Sequence, residues 1–123
     1  MAIYGWDCVT GEVAMPASGQ TVNGAGFTVS KETIAISFHV PTLTGGATLK
    51  LQALAPDTNV ATEVWRDVSA FTTAGTIVAL ASIPGNAVTT YPVIMTGSGV
   101  LRLVASADQS AAPVTVKVVY ANA

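Results

Sequence analysis

The sequence predicts an all-β fold, a β-sandwich or jelly roll of about eight short antiparallel strands. Three observations support this class. Apolar and polar residues alternate along several short segments, as they do in strands that bury one face. Gly, Pro, Asn, Asp and Ser separate these segments, where turns need them. No segment has the apolar spacing of a convincing amphipathic helix.

The alternation assigns each predicted strand an inner and an outer face. In residues 33–40, Ile36 and Phe38 would face the core, whereas Ser37 and His39 would face outward. The clearest alternating segments are residues 33–40, 48–54, 100–106 and 114–120, and shorter ones are residues 27–30, 63–68, 76–80 and 91–95.

Trp65 lies in one of the shorter segments. If residues 48–54 and 63–68 form neighbouring strands, the Trp65 ring can pack against Leu49 and Leu51, and we therefore expect it in the core. An exposed Trp on a flat sheet would instead suggest a sugar platform. Such platforms usually have companion aromatics, and aromatic residues make up only 7% of this chain.

The first 20 residues differ from the rest because no clean alternation runs through them. We expect residues 1–20 to form an N-terminal arm, or an edge strand, and residues 21–123 to form the sandwich domain. Tyr4 and Trp6 would anchor the arm at an interface, since amphipathic aromatics are common there. The alternative is that these two rings cap the core of their own domain.

Charge is scarce in this chain. Charged residues make up 10% of the sequence, against about 25% in a typical protein. We expect copies of the chain to cover part of the surface that charge would otherwise keep soluble. The net charge of −2 leaves no basic stripe for phosphates, so nucleic acid is not an expected partner. No apolar stretch approaches the ~18 residues of a membrane span, and no membrane partner is expected.

Groups that carry chemistry are few, and no catalytic, cofactor-binding or metal-binding residue is predicted. His39 is the only histidine and Cys8 the only cysteine. Cys8 is a buried or idle thiol, or a bridge between copies, because one cysteine cannot form an intrachain disulfide. Asp57 and Asn59 come nearest to a calcium loop, but the following Gly and Glu are absent. We expect no enzyme and no cofactor.

Arg102 is the one charged residue within the apolar segment of residues 100–104. Two interpretations stay open. The side chain faces solvent on the outer sheet, or it pairs with a carboxylate of a neighbouring strand or subunit, for which the guanidinium fork is well shaped. We therefore group Arg102 with Tyr4 and Trp6 as candidate interface residues.

The pattern of residues 48–71 is a strand ending in Leu-x-Gln, a short polar loop around an Asp, and then Trp-x-Asp-Val. It resembles small β-sandwich head decoration (capsid cement) proteins of tailed bacteriophages. Residues 99–106 and the valine-rich residues 114–120 fit the same style, as do the small size and the Ala, Thr, Val and Gly content.

This resemblance implies a structural protein of the virion, made in the host cytoplasm. It would bind the outer capsid surface, with the major capsid protein as partner, as a symmetric trimer or dimer, and would stabilise the shell. Weak contacts repeated over a lattice add by avidity. The family has no catalytic motif to transfer. The alternative function is a carbohydrate- or receptor-binding sandwich module, for example one associated with a phage tail.

Overall fold

The structure is a computed structural model. It describes residues 7–30, 33–55, 63–71, 77–79, 82–92 and 99–122. These residues form antiparallel strands in two main sheets, so the predicted β-sandwich class is confirmed. The strands are β1 (Asp7–Met15), β2 (Phe27–Thr28), β3 (Thr33–Val40), β4 (Thr48–Leu54), β5 (Trp65–Asp67), β6 (Ser69–Phe71), β7 (Ile77–Ala79), β8 (Ile83–Pro84), β9 (Ala87–Pro92), β10 (Val100–Ala105) and β11 (Val114–Asn122).

The two sheets draw on strands from both ends of the chain. The four-stranded sheet has the order β1-β11-β3-β9. The five-stranded sheet has the order β2-β10-β4-β5, with β8 also paired to β4. Strands β6 and β7 pair with each other in a separate small sheet. Because β3 and β4 belong to different sheets, the turn between them carries the chain across the sandwich.

The strongest periodic segments coincide with the observed strands. Residues 33–40 and 48–54 are β3 and β4 to the residue. The segment predicted at residues 91–95 overlaps β9, which begins earlier and spans Ala87–Pro92, and residues 93–95 lie outside the described ranges. The predicted segments do not include strands β6 and β8, because no alternation of apolar and polar residues extends around them.

The core lies between the inner faces that the alternation assigned. Phe38, Leu101, Leu103 and Val118 are completely buried. Burial of each such side chain stabilises the fold by about 1.5–3 kcal/mol. Phe27 meets Phe38 edge to face, with 6.1 Å between the ring centroids. The edge of one ring thus faces the negative face of the other, a favourable arrangement.

Gln109 is a polar side chain with no exposed surface. Its Oε1 accepts the Thr44 N–H at 2.8 Å, and its Nε2 donates to the carbonyls of Thr44 and Ala107 at 3.0 and 3.1 Å. Its own N–H donates to the carbonyl of Thr21. Gln109 therefore links three connections at one end of the sandwich, and its burial is compensated by hydrogen bonds.

Residues 22–26 close one side of the sandwich. The Ala25 N–H donates to the Ala14 carbonyl of β1 at 3.1 Å, and the Gly24 N–H donates to the Leu103 carbonyl of β10 at 2.8 Å. Gly24 must be small here, because an added Cβ would lie 3.0 Å from Met15 Sδ and 3.1 Å from the Leu103 oxygen. The segment thereby connects β1 of the four-stranded sheet with β10 of the five-stranded sheet.

Part of the N-terminal region belongs to the sandwich. Strand β1 pairs with β11 over all nine of its residues without a change of register, and it forms an edge of the four-stranded sheet. Of the two interpretations of the first 20 residues, the edge strand therefore applies to Asp7–Met15. Tyr4 and Trp6 lie outside the described residues.

Candidate functional site

The strongest grouping of polar side chains among the described residues lies on the outer face of the five-stranded sheet. The registers align Arg102 of β10 with Gln52 of β4, and Gln52 with Asp67 of β5. Residues directly opposite in a sheet share a face, so these three side chains form one row across three strands. We call the group that these residues form with their neighbours Lys50 and Trp65 the Arg102 cluster.

Hydrogen bonds connect the row from end to end. Arg102 Nε donates to Gln52 Oε1 at 2.9 Å, and Gln52 Nε2 donates to Asp67 Oδ1 at 2.9 Å. Lys50 Nζ lies 3.4 Å from the same Asp67 oxygen. Gln52 is thus hydrogen-bonded to both the Arg102 guanidinium and the Asp67 carboxylate. The negative charge of Asp67 is paired with the positive charge of Lys50.

The expectation that Trp65 lies in the core is wrong. Trp65 is directly opposite Leu54. Leu54 follows the inward-facing Ala53 and therefore faces outward, so Trp65 faces outward too. Its side chain is half-buried, because Arg102 covers it with Cζ 4.4 Å from the ring centroid. The strand neighbours were predicted correctly, but the relative register of the two strands determines the face and was not visible in the sequence.

Arg102 lies half-buried on the outer face of its sheet, and the structure does not choose between its two interpretations. Burial lowers the pKa of the Arg102 guanidinium, and the charge of Glu63 opposes that effect. The hydrogen bond from Gln52 is the main cause that lowers the pKa of Asp67, and Lys50 adds to it. Both groups are therefore charged at neutral pH.

The Arg102 cluster combines a guanidinium, a carboxylate, an amide, an ammonium group and an aromatic ring. A planar cation on an aromatic ring, held at Nε, presents its outer nitrogens in a fixed orientation. Within the described ranges these Nη atoms have no hydrogen-bond partner. The cluster holds no hydroxyl or thiol nucleophile beside a base. Across the described part of the chain, no three His, Cys, Asp or Glu side chains are grouped closely enough to hold a metal ion.

The outer face of the four-stranded sheet forms a second surface. One row across it contains Glu12, Lys117, His39 and Val88. The side chains around this row are mostly small, and Val88 is 60% exposed. A shallow depression of about 420 Å³ opens beside His39 and Lys117. His39 therefore faces outward, as its place in the alternation predicted.

The remaining sequence candidates contribute less. Cys8 is free and exposed on β1. Asp57 and Asn59 lie outside the described residues. In the described part of the structure, no helix has the length and apolar character needed to cross a membrane.

No protein-family model, no curated protein and no solved structure matches this chain.

Proposed function

We propose that this chain is a non-enzymatic structural protein of a phage virion, a decoration or cement protein that binds the outer capsid as a symmetric oligomer. The observation that carries the proposal is the weakly charged outer face of the four-stranded sheet. Its outward positions in the described strands are Cys8, Thr10, Glu12, Ala14, Ala35, Ser37, His39, Val88, Thr90, Thr115, Lys117, Val119 and Ala121. Glu12 is the one acidic residue in this set, and Lys117 and His39 are the two basic ones.

Such a face suits contact with a second flat protein surface. Small side chains allow close approach, and burying them removes little hydration from charge. A sandwich of long paired strands is also a stiff bracket between neighbouring capsid subunits. Repetition over a lattice converts a weak individual contact into a strong collective one.

The Arg102 cluster is proposed as a second, polar contact. Its guanidinium suits a carboxylate of the capsid protein, because Arg and carboxylate groups pair in a planar, bidentate geometry. Gln52 and Trp65 hold the guanidinium in place before binding, which reduces the entropy lost on association.

The alternative function, a carbohydrate- or receptor-binding module, has one observation in its favour, the outward position of Trp65. Sugars stack on exposed aromatic faces. Arg102, however, already covers one face of this ring. Tyr91, Tyr120 and Phe27 belong to the inner side of the sandwich, packed against its core, and so offer no companion ring on the outer face.

The test is the binding of purified chain to phage particles that lack it. Saturable binding of many copies, with a higher temperature of genome release, is the expected result. Thr115→Glu places a charge on the weakly charged face and should weaken binding at least about tenfold. Thr21→Glu is the matched control, because Thr21 is also exposed but lies in a loop.

The same preparation decides between the two functions. A glycan array and a titration of tryptophan fluorescence with soluble sugars should give no signal. Sugar binding that Trp65→Ala abolishes, together with absent particle binding, would reject the decoration function in favour of the alternative.

A further inference from the structure

We infer that β1 is a self-association edge, on which a second copy of this chain pairs its own β1 antiparallel about a twofold axis at Thr10. The proposed function requires an oligomer without saying where its interface lies. The inference rests on that function only for its biological setting, because the pairing is a property of the isolated chain in solution.

The first step is to find which backbone groups of β1 point away from the sheet. The Ala14 carbonyl accepts a hydrogen bond from the Ala25 N–H. This carbonyl therefore points away from β11, towards the free side of β1. Hydrogen-bonded and non-hydrogen-bonded pairs alternate along an antiparallel ladder. Cys8, Thr10 and Glu12 have the same phase as Ala14, so their N–H and C=O groups also point off the sheet.

These groups have no partners among the described residues. Residues 22–26 cover β1 only at Ala14 and Met15, and no described backbone or side chain bonds to the outer edge at Cys8, Thr10 or Glu12. Exposed strand edges are templates for pairing with another chain. As far as the described residues show, the open part of β1 is therefore one short, continuous row of donors and acceptors.

This edge lacks most of the features that usually prevent pairing, although Glu12 places one exposed charge on it. Proteins protect edges with charged side chains, above all Lys, and with Pro, bulges or very short strands. β1 has nine residues, contains neither Lys nor Pro, and pairs with β11 in an unbroken register. The opposite edge strand, β9, is shorter and ends at Pro92, which has no N–H to donate. The edges of the other main sheet, β2 and β5, have two and three residues.

The register follows from using all three open residues. With the axis at Thr10, Thr10 pairs with itself and Cys8 pairs with Glu12 of the second copy. About six hydrogen bonds then form, since each such pair exchanges two. An axis at Gly11 would place Ala14 in the ladder, but its carbonyl is already used. An axis at Val9 would leave Glu12 without a partner among the open residues.

Electrostatics permit this register. The two Glu12 residues would be four residues apart along the strand direction, on adjacent strands. At 3.4 Å per residue, and with the spacing between strands included, their Cα atoms would be about 14 Å apart. That distance exceeds the Debye length of about 8 Å at physiological salt. The two four-stranded sheets would join into one continuous sheet, with the weakly charged outer face extended across both copies.

The direct test compares Thr10→Pro with Thr10→Ala. Proline removes the outward N–H of Thr10, and its ring is tolerated on the open side of an edge strand. The monomer ladder to β11 does not use that N–H. Light scattering should show a dimer of twice 12.4 kDa for the wild type and for Thr10→Ala. Thr10→Pro should be a monomer with an unchanged circular dichroism spectrum.

A cysteine scan tests the register without depending on the proline variant. In a Cys8→Ser background, Thr10→Cys should form an intermolecular disulfide under mild oxidation, because directly opposite Cα atoms lie about 5.5 Å apart. Glu12→Cys in that background, and wild-type Cys8, should not. The expected result is a cross-linked dimer at position 10 alone.

Several results would overturn the inference. The first is a wild-type protein that stays monomeric at high concentration. The second is a folded Thr10→Pro variant that still forms the oligomer. The third is equal cross-linking at positions 8, 10 and 12. An intact oligomer in Thr10→Pro that still binds particles would reject this interface and leave the proposed function standing. A β1 dimer that does not bind particles would support this interface and reject the proposed function.

Discussion

The Arg102 guanidinium carbon lies 4.4 Å from the centroid of the Trp65 ring, on the outer face of the five-stranded sheet. The two side chains come from β10 and β5, which lie on either side of β4. Gln52 of β4 holds the guanidinium through Nε. The contact between Arg102 and Trp65 therefore spans β4 and stabilises the arrangement of β10, β4 and β5.

Arg102 and Trp65 should be energetically coupled. A double-mutant cycle with Arg102→Met and Trp65→Leu should give a coupling of about 0.5–1 kcal/mol in the free energy of unfolding, the range of partly exposed cation–π pairs. Urea denaturation of the four proteins measures it. Additive effects would show that the guanidinium and the ring do not interact. Arg102→Lys serves as the control that keeps the charge and loses the planar fork.

Asp67 should make stability depend on pH in the acid range. Its folded-state pKa lies below the usual 3.8, so the carboxylate stabilises the fold above the unfolded-state pKa and loses that effect as pH falls through the folded-state pKa. Asp67→Asn should lower stability at pH 7 by at most about 0.5 kcal/mol, because the group is exposed. The difference from wild type should vanish as the pH falls below the folded-state pKa.

The Gln52→Ala background provides the control for this effect. Gln52 is the main cause of the lowered pKa of Asp67. The pH-dependent effect of Asp67→Asn should therefore be smaller when the substitution is made in the Gln52→Ala protein than when it is made in the wild type. An unchanged effect would mean that Gln52 does not orient the carboxylate in solution.

Gln109→Leu should destabilise the fold by about 2–4 kcal/mol. The leucine keeps the volume of the buried side chain but leaves the Thr44 N–H and C=O groups without their partner. Thermal unfolding measures the loss. Gln20→Leu is the matched control, because Gln20 is exposed, and it should change stability by less than about 0.5 kcal/mol. Equal effects would contradict the linking role of Gln109.

Gly24→Ala should cost about 1–3 kcal/mol, because the new methyl group would press against the Leu103 carbonyl, which cannot move without disturbing β10. Gly26→Ala should be close to neutral, since its nearest neighbour, the Leu101 oxygen, would lie 3.9 Å from the added Cβ. Chemical denaturation of both variants tests the difference. A tolerated alanine at Gly24 would show that residues 22–26 do not clamp the two sheets.

The sequence predicts the fold better than the site, for a physical reason. Burial alternates with period two along each long strand, so the inner and outer positions of β3, β4, β10 and β11 are visible without knowing their neighbours. The Arg102 cluster depends on which strands adjoin and in what register. Trp65 was misplaced for this reason, since a shift of one residue exchanges the two faces. Very short strands such as β8 have no periodic signal, although Ile83 of β8 is completely buried in the core.

The proposed function is tested most directly by counting copies of the chain on purified phage particles. Particles from a lysate are separated on a density gradient, and the 12.4 kDa chain is quantified against the major capsid protein. A decoration protein should co-migrate with the particles at hundreds of copies each. Absence of the chain from the particles would contradict the proposal, and a few copies per particle would contradict a role over the whole capsid surface.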